Sequence, residues 1–303
     1  MRRFHDRPVL AVLVGAVTIS FSGILFRLSH VSPSTGAFYR CVWALPPLWY
    51  LSYREDRRYG PRTRRARSLA WLAGIFFAAD LILWHNAVDQ VGAGLATVLG
   101  NTQVVLVGLL AWALLHERPP RSSLLAIPVV AFGVVLISGV FEHGAYGANP
   151  RLGALYGVLT GIAYSGFLLT LREGSRLDLR RVAGPLFDAT FSAALGSAAI
   201  GAVVGDLDLT PSWPATGWLI LLALSSQVVG WLLISLSLPR LPAVITSILL
   251  TLQPVCSVIF AALIIDEKPS ALQLVGAACI LVGLVTATLG RRVEPIPEPE
   301  LAG

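Results

Sequence analysis

Ten apolar stretches follow one another through almost the whole chain, and short loops join them. They are Pro8–Leu28, Thr35–Leu51, Ser68–Val88, Ala93–Leu115, Ser122–Gly139, Leu152–Leu171, Val182–Val204, Trp218–Leu238, Ala243–Ile265 and Ala271–Leu289. A helix needs roughly 17 to 25 apolar residues to cross a bilayer, and these runs have that length. No room remains for a water-soluble domain. A buried soluble helix is the rival reading of any single run, but ten in succession argue against it. Charge agrees: 13% of residues are charged and mean hydropathy is +0.72, where soluble domains carry about a quarter charged residues.

Two features at the ends follow from this layout. Arg2, Arg3 and Arg7 precede the first run as in a secretory signal. That run is long for a signal, and its removal would leave the first half one helix short of the second. The last residues, Arg291–Gly303, are rich in Pro and Glu and read as a disordered tail. Cys41, Cys256 and Cys279 lie inside apolar runs with no metal or disulfide spacing. They read as packing residues, and no cofactor or metal is expected.

The chain also contains one segment twice, 150 residues apart. His116-Glu117-Arg118-Pro119 recurs as Asp266-Glu267-Lys268-Pro269. Aligned without gaps, Ala93–Gly139 and Ala243–Leu289 share 10 of 47 positions, among them Gln103 with Gln253 and Gly133 with Gly283. Apolar segments match by chance at some positions. The Gln, Glu, Pro and Gly matches are harder to explain that way, and point to two homologous membrane halves.

Arginine sets the orientation. With ten helices and a cytoplasmic N-terminus, 19 of the 23 basic residues fall on the cytoplasmic side and 3 outside, while Arg40 lies inside a helix. The positive-inside rule expects this bias, so both termini are expected in the cytoplasm. It also explains the basic balance without nucleic acid. Five helices per half is an odd number, so the halves run in opposite directions. Glu117 then faces the cytoplasm and Glu267 the outside. The expected fold is an all-α integral membrane protein of ten transmembrane helices in two inverted five-helix repeats, residues 8–139 and 152–289, followed by the cytoplasmic tail 290–303.

These residues resemble a known family. Leu252-Gln253-Pro254, Asp266-Glu267-Lys268-Pro269, Gly276 and Gly283 resemble the fourth-to-fifth helix signature of ten-helix EamA-like exporters in the drug/metabolite transporter superfamily. Gln103, His116-Glu117-Arg118-Pro119 and Gly133 match it in the first half, which departs at Val104, where the family often has Pro. Phe38-Tyr39-Arg40 resembles the family's aromatic-Arg element, and Asp188 stands in place of Arg in the second half. The resemblance runs from about Val9 to Leu289. It implies a multi-pass transporter of the inner (plasma) membrane, in a family that includes exporters of amino acids and other small metabolites.

Charged side chains cost about 2.5–3.5 kcal/mol at the bilayer centre, so each needs a reason to be there. Arg40, Asp80 and Asp188 are the candidates inside spans. Asp80 and Trp84 share a helical face and offer a charge beside a flat aromatic wall. His85 lies on another face, and is read with Tyr39, Trp43 and Trp84 as a further candidate for substrate contact. Asp80 reads equally as a substrate or proton site and as a partner of Arg40. Arg40, between Tyr39 and Trp43, is suited to a carboxylate but also to a structural pair. Asp188, near a helix end, reads as a solvated interface residue. Asn101, Gln103 and Gln253 offer amides that donate and accept, or simple interhelical bonds. Tyr164 and Trp231 are weaker lining candidates. Gly157 and Gly161 have the spacing of close helix packing, and Pro254 is expected to kink its helix. Glu117 and Glu267 read as structural residues at helix ends.

The leading reading is a small-metabolite exporter working by alternating access, with amino acids, aromatic or apolar ones first, as substrate. Its partners are then a small molecule and membrane lipid, with no nucleic acid, in a monomer. A carrier of another metabolite class is the alternative, such as an organic cation or a sugar nucleotide. The latter wants several cations in the cavity, where only Arg40 is available. A non-transporting receptor or scaffold needs no polar cavity. An intramembrane enzyme lacks a motif, since no span holds His-x-x-x-His or Gly-x-Ser-x-Gly.

Overall fold

Prolines and small polar residues decide where the apolar runs break. The computed structural model describes residues 7–115, 121–178, 180–237 and 249–289, and every regular element among them is helical. Helices α1 (Pro8–Ser20) and α2 (Ser22–Ser29) join at Phe21 into one apolar rod. The next run splits into α3 (Pro33–Val42) and α4 (Leu45–Tyr59). Pro46 and Pro47 sit in the first turn of α4, where a missing N–H costs no helical bond. The expected end at Leu51 is exceeded because the arginine-rich continuation stays helical until Gly60, at φ 82°.

Helix α5 (Arg64–Val91) is capped by the Thr63 hydroxyl, which accepts from Ala66 N at 3.2 Å. The fourth run breaks at Asn101–Thr102 into α6 (Ala93–Gly100) and α7 (Gln103–Leu115). Then come α8 (Arg121–Ile137), α9 (Pro150–Arg176) and α10 (Ala183–Val204). The eighth run starts at Trp213 as α11 (Trp213–Leu222), passes through a π-helical segment (Ala223–Gly230) and resumes as α12 (Trp231–Ser237). Helices α13 (Leu252–Ile264) and α14 (Ala271–Leu289) complete the order. Leu249–Leu250 are helical and Thr251 is a turn, so the ninth run is interrupted just before Pro254, which sits in the first turn of α13.

Six helical stretches among the described residues are long and apolar enough to cross a bilayer: Pro8–Ser29, Arg64–Val91, Pro150–Arg176, Ala183–Val204, Trp213–Leu236 and Ala271–Thr288. The other runs are shorter for local reasons. Prolines split the second and Asn101–Thr102 splits the fourth, while α8 is short. The ninth begins in residues 238–248, outside the described residues. Glu117 and the tail 290–303 also lie outside them.

The halves interlock. The main packing partner of α5 is α9, and α10 lies against α3, α4 and α5. Helix α8 pairs with α14, α6 with α13, and α1 with α12 and the π segment. These pairings are reciprocal under the 150-residue offset: run 3 with run 6 matches run 8 with run 1, while runs 2 and 7, 4 and 9, 5 and 10 pair with their own repeat mates. One core gathers Ile24, Phe26, Leu95, Leu99, Leu219 and Ile280, and another Leu48, Phe77, Phe167, Leu186 and Trp231.

Glycine permits the closest crossings. A Cβ on Gly133 would stand 2.6 Å from the Gly276 carbonyl oxygen, and one on Gly276 2.7 Å from that of Gly133. Gly157 and Gly161 let α9 approach Leu99, Thr102 and Leu106 closely. The outer faces are apolar, with Val203 89%, Leu263 77% and Ile75 60% exposed. Such faces suit lipid, while the helices satisfy their own backbone bonds.

Candidate functional site

Buried polar side chains from both halves converge near the middle of the helices. Arg40 on α3 is 5% exposed, and its Nε donates to Gln227 Oε1 at 3.2 Å. Gln227, fully buried in the π segment, donates through Nε2 to Thr190 Oγ1 on α10, also at 3.2 Å. The Arg40 guanidinium lies 5.7 Å from the centre of the Trp84 ring, a cation–π distance. Asp80, one turn before Trp84 on α5, is 6% exposed. Among the described residues it makes no ion pair and no hydrogen bond, though Arg40 and Tyr164 lie within its electrostatic reach. Arg40 and Asp80 therefore face a common region without closing on each other.

An aromatic wall adjoins this cluster. Tyr164 stacks on Phe167 at 5.9 Å, Phe167 stacks on Phe77 at 4.5 Å, and Trp231 meets Tyr164 edge-on at 6.2 Å. The arrangement brings a guanidinium, a carboxyl group and flat aromatic faces into one buried place.

The other expected site residues are distributed unevenly. Trp43 is half-buried with its Nε1 lacking an acceptor, and it stacks on Tyr39 at 6.3 Å. The Tyr39 hydroxyl is engaged elsewhere, donating to Leu209 O at 2.7 Å. His85 packs on Phe26 at 4.0 Å. Its nitrogens make no hydrogen bond of ordinary geometry, and only the Pro33 backbone offers a looser contact. Asn101 donates to Thr97 O at 2.8 Å and stabilises the break between α6 and α7. Gln103 opens α7, and its backbone oxygen accepts from Ser165 Oγ at 3.4 Å. Gln253 lies in the first turn of α13. In both halves, then, the helix starts at or next to the repeated glutamine.

Gln227 and Thr190 were not singled out from sequence. The signal was Ser225-Ser226-Gln227 inside an apolar run, and π segments mark functional sites more often than plain helix does. Asp188 also differs from expectation. It is 3% exposed, and Arg62 clamps it with bonds of 2.8 and 3.2 Å. Its partner comes from a loop 126 residues away, which local pattern does not reveal.

That clamp belongs to a network tying the α4–α5 loop to the start of α10. Glu55 accepts from Val182, Ala183 and Gly184 N at 3.0, 2.9 and 2.8 Å, so the N-terminus of α10 is capped by the other half. Arg181 bonds Asp56 at 2.6 Å and Asp178 at 2.8 Å. Burial works against a charged Asp178, but the Arg180 and Arg181 donors outweigh it and hold the carboxyl below its usual range. At the other end of the same helix pair, Ser32 and Thr35 donate to Asp206 O, and Asp208 N donates to Thr35 Oγ1 at 2.8 Å. Helix α10 is thus tied to α3 and α4 at both ends.

Glu267 occupies a separate junction. Its carboxylate accepts from Ala93 N at 2.7 Å and Gly94 N at 3.1 Å, capping α6. Gly92, at φ 92°, leaves room for it: a Cβ there would stand 2.8 Å from Glu267 Oε2. Burial pushes the Glu267 carboxyl above its ordinary range, against the opposing pull of Ala93, Gly94 and Arg27.

Known proteins place this architecture. A crystal structure of a protein superposes with a TM-score of 0.61 over 95% of this chain and 99% of that one, at 15% identity, which is a likeness of fold. An uncharacterized transporter, sll1319, of Synechocystis is 23% identical over 189 residues. That match spans 52% of this chain and 56% of the relative, so the chain matches about half of the relative's length. The profile of the EamA-like transporter family matches residues 7–139 and again 151–289. With two family segments covering nearly the whole chain, this multi-pass membrane protein belongs to the EamA-like transporter family.

Proposed function

We propose that the protein exports small metabolites, with amino acids bearing aromatic or apolar side chains as the first substrate class. The observation that carries this reading is the buried meeting of Arg40, Asp80 and Gln227 beside Trp84, Tyr164 and Trp231. Arg40 offers a carboxylate partner and Asp80 an amine partner. The aromatic faces take the side chain. A highly anionic substrate such as a sugar nucleotide has a single buried arginine to meet here, against the several cations it needs.

The transport path runs between two inverted halves of five crossings each, and both termini face the cytoplasm of the inner membrane. The loop contacts support this topology. Loops assigned to the cytoplasmic face bond to one another, as in Arg62 to Asp188 and Arg181 to Asp56. Loops assigned outside do the same, as in Thr35 to Asp206, Asn149 to Gln90 and Glu267 to Ala93. The reciprocal pairing of the runs supports alternating access, because inverted halves supply two related conformations.

Two experiments test the reading. Single cysteines at positions 80 and 103, with Cys41, Cys256 and Cys279 replaced, are expected to react with impermeant thiol reagents from either side. Protection from both sides would contradict a transport path. Counterflow into proteoliposomes is expected with amino acids, and uptake confined to other metabolites would overturn the substrate class.

A further inference from the structure

A basic cleft opens on the flank of the helices, away from the buried cluster. Its volume is about 560 Å³, and Arg54, Arg57, Arg58 and Arg180 line it together with Tyr59 and an apolar wall that includes Leu51, Leu232 and Leu236. The arginines are held open by aromatic rings. Arg54 lies over Tyr50 at 5.9 Å, Arg57 over Tyr53 at 5.1 Å, and Arg58 and Arg180 over Tyr59 at 5.4 and 5.3 Å. Among the described residues, Arg54, Arg57 and Arg58 make no ion pair, whereas Arg180 pairs with Asp178 at 3.1 Å. The one carboxylate in the cleft, Glu55, is already committed to the three backbone N–H groups at the start of α10.

Where the cleft lies decides what can fill it. The preceding turns of α4 expose Trp49 (58%), Tyr50 (54%) and Tyr53, and exposed Trp and Tyr next to arginine mark the headgroup level of a bilayer. Leu51, Leu232 and Leu236 continue from the arginines into the apolar part of the helices. We infer that this cleft is a binding site for an anionic phospholipid, whose headgroup phosphate meets Arg54, Arg57 and Arg58 while an acyl chain follows the leucine wall. A free anion would use the arginines and leave the accessible parts of Leu51 and Leu236, which are only half-buried, uncovered, so charge and apolar surface together favour the lipid. The site joins the α4 end to α10 and α12, so the lipid would bridge the two halves where Glu55 already ties them.

Native mass spectrometry of the full chain, released from mixed phosphatidylglycerol and phosphatidylcholine, tests this. The wild type is expected to retain phosphatidylglycerol with roughly a tenfold or greater preference, since three arginines face its anionic headgroup. R54Q/R57Q/R58Q is expected to lose that preference. R64Q/R65Q/R172Q, which removes the same charge from exposed positions outside the cleft, is expected to keep it. R54K/R57K/R58K retains the charge and is expected to keep most of the preference, which separates loss of the site from loss of fold. Equal retention by the cleft triple and wild type would overturn the assignment. So would equal loss in both glutamine triples, because that is the behaviour of a general basic belt. Displacement of the lipid by millimolar inorganic phosphate would assign the cleft to a free anion instead.

Discussion

Arg40 on α3 and Thr190 on α10 both bond to the side chain of Gln227. Arg40 donates to its oxygen and Thr190 accepts from its nitrogen, each at 3.2 Å. One amide therefore joins the second run of one half to that of the other, from within a π-helical segment of the eighth. A leucine or valine there would leave a buried guanidinium without an acceptor. Gln227→Leu is expected to destabilise the protein by about 2–4 kcal/mol, combining a lost charge-assisted bond with an unpaired buried charge. Thermal unfolding in detergent measures it. An unchanged midpoint would show that Arg40 finds another acceptor.

The Arg62–Asp188 clamp predicts a non-additive pair. Both side chains are largely buried, at 7% and 4% exposure. Removing one partner leaves the other only a longer contact, Asp188 with Arg67 or Arg62 with Asp56, each at 3.7 Å, so Arg62→Ala and Asp188→Ala are each expected to cost up to about 3 kcal/mol. The double variant is expected to cost clearly less than their sum. Additive losses in unfolding would mean that the two groups do not act as a pair.

Glu267 predicts a pH dependence with a definite sign. Its folded carboxyl titrates above the ordinary value of 4.5 because burial disfavours the charge. The folded state therefore binds this proton more tightly than the unfolded state does. The resulting stabilisation is fully present below the ordinary value and fades as pH rises through the raised folded value. Glu267→Gln removes this dependence and also turns an amide N–H toward the Gly94 donor. The wild-type minus variant stability is expected to grow as pH falls, followed by unfolding at a series of pH values. A difference that shrinks toward acid would reverse the assigned sign.

The Gly133–Gly276 crossing predicts strain. Ala at either position places a Cβ against the opposing carbonyl, at 2.6 or 2.7 Å. Each substitution is expected to cost about 1–3 kcal/mol by forcing α8 and α14 apart. Cross-linking efficiency between cysteines on these two helices should fall in parallel with thermal stability.

Much of the architecture could be read from one sequence because bilayer thickness and hydropathy act locally. Six helices of membrane length, the two family segments and the burial of Arg40 and Asp80 were legible. The breaks were less so: Pro46 and Pro47 splitting the second run, and Asn101 splitting the fourth, change a helix without changing its hydropathy. Long-range pairing was not legible. Asp188 reads as an interface residue until Arg62 is placed beside it, and Gln227 is one polar residue among several until Arg40 and Thr190 flank it. His85 and Tyr39 looked like lining residues because they neighbour the charges in sequence. Helical geometry turns His85 toward Phe26, and the Tyr39 hydroxyl is taken by Leu209.

The buried cluster as a substrate site is tested most directly by amino-acid counterflow into proteoliposomes containing the Asp80→Asn protein. Asn keeps the shape, removes the charge and relieves its desolvation, so the variant is expected to fold with wild-type thermal stability. It is expected to lose counterflow at least tenfold, in line with loss of a charge-assisted contact worth roughly 1.5–3 kcal/mol. Full counterflow by a well-folded Asp80→Asn protein would contradict the assignment of this cluster to the substrate.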